Sequence, residues 1–144
     1  MEKPQSFENH ARVIPAYHMV TFGILALNLV WSIYRLATDF STDRGFASLV
    51  AIALVLMFFY ARIFALTVQD RVIRLEMKLR LREVLPPALR PRIDELTVPQ
   101  LVSLRFASDA ELPALCEQVL NEKIQDRKAI KRMVKNWQAD RLRA

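Results

Sequence analysis

Glycine is almost missing from this chain of 144 residues: Gly23 and Gly45 are the only two. Phosphate-cradling loops need glycine so that backbone N–H groups can approach closely, which excludes nucleotide hydrolysis on such a loop. A Gly-x-Ser-x-Gly nucleophile elbow is absent as well. Cysteine is nearly as scarce. A single Cys116 cannot form an internal disulfide, and it reads as a small apolar helix residue rather than a reactive thiol. The two histidines, His10 and His18, lie eight residues apart with Pro15 between them. Even on one continuous helix they would point about 80° apart, so they do not make a metal site, which needs several converging ligands. No cofactor is expected.

Charge is missing from two long stretches. Val13 to Tyr34 is 22 residues without Lys, Arg, Asp or Glu, and Gly45 to Ala61 is 17. About 20 apolar residues, at a rise of about 1.5 Å each, match a bilayer core about 30 Å thick. A secretory signal competes for the first stretch. It fits poorly: residues 1–12 balance Glu2 and Glu8 against Lys3 and Arg12, and the run ends at Tyr34, Arg35 and Leu36 without a small-residue cleavage site. The second stretch is short enough for a buried soluble helix, but Ile63 to Val68 extend it past Arg62, whose side chain can snorkel to headgroups. We expect a transmembrane hairpin over residues 13–66, with spans at about 14–36 and 46–66 joined by about ten residues.

Lys and Arg placement sets the expected orientation. The hairpin turn offers Arg35 and Arg44 against Asp39 and Asp43, whereas Arg62, Arg71, Arg74, Lys78, Arg80 and Arg82 follow the second span. The positive-inside rule then puts residues 1–12 and the tail, 67–144, on the cytoplasmic side of the membrane that holds the hairpin. Tyr17 and Tyr60 fall near the inner surface, and Trp31, Tyr34 and Phe46 near the outer one. The net charge is +5 for 67–144 and +1 for 1–66.

Residues 68–85 alternate apolar and charged side chains as a strand would, yet Leu, Met, Lys, Arg and Glu favour a helix, as do i,i+4 pairs Asp70 with Arg74 and Glu76 with Arg80. As a helix the segment carries two apolar stripes: Val68, Val72, Leu75 and Leu79, and Ile73, Met77, Leu81 and Val84. Two stripes imply two packing partners. The helix should continue out of the second span and stop before Pro86 and Pro87. Thr97 with Gln100 reads as a capping box, and Ser108 with Glu111 repeats it ahead of a helix running to about Lys123 with Leu112, Leu115, Val119 and Leu120 inward. Asp126 caps a last helix with Ile130, Met133, Val134 and Trp137 as its stripe. The expected class is all-α: a two-helix hairpin followed by a small basic helical domain.

Gln5, Phe7, Asn9, His10, Pro15, Tyr17 and His18, the run Leu104, Arg105, Phe106, Ala107, Asp109, Glu111, Leu112, and the ending Lys135, Asn136, Trp137, Ala139, Asp140 resemble a family of short, uncharacterised bacterial membrane proteins, over almost the whole chain. The resemblance implies two spans and a cytoplasmic helical tail. It brings no activity and no catalytic residue.

The residues that remain as candidates are few. Asn28 is a polar group within the first span, where an unpaired amide is costly, so it should bond a neighbouring helix, another subunit or backbone. His18 at a span end has the placement of a tetrapyrrole contact, with a hydrogen-bonding interfacial histidine as the plainer alternative. Arg71, Arg74, Lys78, Arg80 and Arg82 form a basic, lipid-facing set. The expected function is noncatalytic: an accessory or scaffolding subunit of a larger inner-membrane assembly, with a respiratory or photosynthetic complex as the setting and other membrane subunits and lipids as partners. The alternative is a membrane-anchored module that binds anionic lipid or nucleic acid through its basic tail, nucleic acid being the less favoured partner. A lipid-modifying membrane enzyme is a third class without positive support.

Overall fold

The computed structural model describes residues 6–8 and 14–139. All regular elements are helical, and no strand forms among the described residues. The alternation in 68–85 does not produce a strand: α1 spans Phe22–Thr38 and α2 runs unbroken through Thr42–Val84. The chain divides into two compact units, Val13–Leu66 and, separately, Met1–Arg12 with Thr67–Ala144.

In the first unit a six-residue π-helical turn, Ala16–Thr21, leads into α1. Thr21 Oγ1 donates to the Ala16 carbonyl at 2.9 Å, the five-residue spacing of that turn. The connection between α1 and α2 is only Asp39–Ser41, not the ten or so residues expected. Ser41 explains the difference: its Oγ accepts from the Arg44 N–H at 3.3 Å and its carbonyl from Gly45 N–H at 3.0 Å, so α2 starts early, and Arg44 turns back onto Asp39. The hairpin closes on small and aromatic side chains. Ser48 and Ala51 are buried, Ser48 Oγ donates to the Ser32 carbonyl at 3.2 Å, and near the other end Tyr17 stacks on Phe58 at 4.4 Å while its hydroxyl donates to the Phe58 carbonyl at 2.7 Å. Close backbone approach over small residues is the usual way two apolar helices pair without a hydrophobic driving force.

These two helices are long and apolar enough to cross a membrane: Ala16–Thr38 is 23 residues and Thr42–Val84 is 43. Large apolar side chains face outward from both, including Ile24, Leu27, Val30, Leu49, Ile52 and Leu56. An outward face this apolar needs an apolar surrounding, and the described residues do not supply it.

The second unit is built on the end of α2. Of its two stripes, Ile73, Met77 and Leu81 are buried and Val84 packs partly buried against the same core, joined there by Leu85 just past the helix end, while Val68, Val72, Leu75 and Leu79 stay exposed. Against the buried stripe pack a 3-10 helix, Arg90–Glu95, then α3 (Val98–Leu104), α4 (Leu112–Asn121) and α5 (Arg127–Met133). The core contains Ile93, Leu101, Leu104, Leu112, Cys116, Val119 and Ile130.

Two starts follow their local sequence, whereas α4 begins only at Leu112: Glu111 accepts from the Ser108 N–H at 3.0 Å, but the Ser108 Oγ is buried without a hydrogen-bond partner, so only half of the second expected capping box forms. The Thr97 capping box forms, with Gln100 Oε1 accepting from the Thr97 N–H at 2.8 Å, and Asp126 accepts from the N–H groups of Lys128 and Ala129 at 3.1 and 3.0 Å. The last helix ends sooner than its stripe suggested. Val134 is already extended, and residues 134–138 return along 106–107, with Gln138 N–H donating to the Phe106 carbonyl at 2.7 Å and Ala107 bridging Trp137.

Glycine scarcity leaves a mark at the end of α4. Lys123 takes a positive φ of 51°, where glycine is the usual residue, and the Ile124 N–H reaches back to the Val119 carbonyl at 3.1 Å.

Candidate functional site

The residues expected to face lipid divide into two groups. Arg71, Arg74 and Arg82 are exposed. Arg80 turns instead into the second unit. Its Nε donates to Asp109 Oδ1 at 2.7 Å, and its terminal nitrogens to the carbonyls of Arg105 at 3.1 Å and Ala107 at 2.6 Å and to Gln138 Oε1 at 2.9 Å. Lys78 is paired with Asp94 at 2.5 Å, which together with its hydrogen bond holds the Asp94 carboxyl below its ordinary value. The i,i+4 pairs read from sequence give way to these longer-range partners: Asp70 lies 4.0 Å from Arg127. A planar guanidinium satisfies several acceptors in fixed directions, whereas a helix-surface pair satisfies one.

Glu111 is the counterpart of Arg80. Its carboxylate accepts backbone N–H groups from Ser108 at 3.0 Å, Lys135 at 3.1 Å and Asn136 at 3.2 Å. Trp137 stacks on Phe106 at 4.4 Å, with the Arg105 guanidinium over the Phe106 ring at 4.5 Å. Two of the stretches that carry the family resemblance, 104–112 and 135–137, are thus one clasp, closed by Arg80 on one side and Glu111 on the other. A cleft of 330 Å³ beside it is lined by Glu111, Ala114, Leu115, Gln118, Met133 and Lys135. Because Glu111 accepts from three backbone donors there, the carboxylate acts as an anchor for the chain.

Cys116 is fully buried, and desolvation pushes its thiol up to about 12. His18 Nδ1 lies 3.1 Å from both the N–H and the carbonyl of Ile14, and the ring packs edge-on to Tyr17 at 5.2 Å. Ligation of a tetrapyrrole would therefore fall to Nε2. Asn28 is exposed on α1, with no hydrogen-bond partner among the described residues. His10 lies outside the described residues. Among the described residues, no three His, Cys, Asp or Glu side chains come together as a metal set.

Sequence reasoning missed the Arg80 clasp. Arg80 sits on the helix face beside the buried Met77 and Leu81, which was a usable signal. Its acceptors, however, lie 25 to 58 residues away, and no local pattern encodes them.

The chain belongs to a family of unknown function, DUF6526, whose profile matches residues 1–144. No curated protein and no solved structure matches it.

Proposed function

We propose that this protein is a noncatalytic membrane subunit that scaffolds a larger inner-membrane assembly, its hairpin packed among neighbouring spans and its basic tail held on the cytoplasmic face. The observation that carries the reading is the outward apolar surface of both long helices. Within the most apolar windows of Ala16–Thr38 and Thr42–Val84, 0% and 6% is buried by the chain itself. A soluble core helix would be largely covered by its own chain, so lipid or neighbouring spans are the natural surroundings. Asn28 adds a polar contact point on that surface, suited to an amide or hydroxyl on an adjacent helix. Within the second unit, Phe7 packs against the Arg132 guanidinium at 5.3 Å. That contact favours the N-terminal segment and the tail lying on one side of the membrane, as an even number of spans requires.

The test is purification of the tagged full chain in a mild detergent, with mass spectrometry and an absorbance spectrum of the product. Co-purification of other membrane subunits in fixed proportion supports the reading. A preparation containing this chain alone contradicts it. Anionic lipid binding through Arg71, Arg74 and Arg82 is the second reading, favoured by their exposure. Its signature is retention on anionic vesicles that falls steeply with salt.

A further inference from the structure

The exposed stripe of α2 has the spacing of a coiled-coil seam. Val68, Val72, Leu75 and Leu79 recur at four, three and four residues, which places Val72 and Leu79 at heptad a and Val68 and Leu75 at d. Their side chains are 61%, 49%, 62% and 52% exposed, whereas Ile73, Met77 and Leu81, on the opposite side of the same helix, are buried beneath the tail. The chain's own core therefore uses one face of α2 and leaves the seam uncovered.

Charges beside the seam name its occupant. In a parallel pair, a g residue meets the e residue five positions on in the other helix. Arg71 is at g and Glu76, five residues on, is at e; Lys78 and Glu83 repeat the relation. Arg71, Glu76 and Glu83 are exposed and form no ion pair among the described residues, while Lys78 already holds Asp94. At Arg71 and Glu76 the seam is thus complementary to itself, with opposite charges in register. The β-branched Val72 at a beside Leu75 at d is the combination that favours two strands.

We propose that residues 68–79 pair, parallel and in register, with the same residues of a second copy of this chain, the seam ending before Arg82, which takes the next d position. The parallel sense rests on the proposed membrane function, since two copies inserted with one topology must direct this helix the same way. Two heptads alone would associate weakly, and co-insertion in one membrane raises the effective concentration of the pair.

The experiment is oxidative crosslinking of the full-length chain in native membranes, comparing Leu75→Cys at the seam with Arg74→Cys one residue away. The unmodified chain is the control, since buried Cys116 should not react. Leu75→Cys should give several-fold more disulfide dimer than Arg74→Cys. Adding R71E, which sets two carboxylates against each other, should reduce the yield several-fold, and R71E with E76R should restore it. Equal yields at the two positions, or no recovery in the double charge swap, would overturn the proposal. So would a Leu75→Cys thiol that forms no dimer and is shielded from a charged maleimide, which would place the stripe in lipid. An alkaline wash of the same membranes reads insertion separately: release of the chain counts against the membrane function, while crosslink yield decides the dimer in either case.

Discussion

At Arg80 one side chain does what a short loop could not do for itself. The Arg80 side chain is 23% exposed and gathers two carbonyls, a carboxylate and an amide from residues 105–109 and Gln138. Charge-assisted bonds of this kind contribute roughly 1.5 to 3 kcal/mol each when buried and less when wet, so Arg80→Ala should cost about 2 to 3 kcal/mol in the full chain. Arg80→Lys should recover less than half of that, because an ammonium cannot reproduce the fork. Detergent-phase unfolding followed by Trp137 fluorescence in a Trp31→Phe background measures both. Lys123 is a second residue-scale test: Lys123→Val, forcing a β-branched side chain into φ 51°, should destabilise by about 1 to 2 kcal/mol, whereas Lys123→Gly should be neutral or stabilising. For Cys116, a thiol raised to about 12 and fully buried should resist maleimide at mildly alkaline pH and react only on unfolding, which mass spectrometry at graded denaturant would show.

Helix starts in this chain are local decisions, and they were largely legible. Thr97 with Gln100, Asp126, and the Pro86–Pro87 stop each act through groups within a few residues, so the sequence carries them openly. Asp126 also makes a pH prediction. Its two backbone N–H bonds lower the carboxyl from its ordinary 3.8, so the cap's contribution is fully present above that value and disappears as pH falls through the lower folded value. Asp94, lowered by Lys78, has the same sign. Asp126→Asn keeps a capping oxygen but removes the titration, so thermal midpoints taken from about pH 6 down to about pH 3 should fall less steeply than in the parent chain. What the sequence hid lies at longer range. The early start of α2 came from a Ser41 cap inside a stretch read as a loop. The end of α5 at Met133 came from the pairing of Trp137 with Phe106 and Ala107, which no periodicity announces. The double stripe of α2 was visible because both faces repeat on one helix, yet only packing shows which stripe the tail occupies.

For the whole molecule, α2 dominates. At about 1.5 Å per residue its 43 residues are roughly twice what a bilayer's hydrocarbon core requires, and the two units meet within it, at Leu66 and Thr67. One half offers a broad outward apolar face; the other offers a core-facing stripe and an unpaired seam. The proposed membrane assembly depends on the apolar half being in a membrane with both chain ends on one side. Reporter fusions that work only outside the inner membrane, placed after Phe40 in the turn and after Ala144, test this most directly. The account predicts strong activity at Phe40 and none at Ala144; strong activity at Ala144, or none at Phe40, would contradict it.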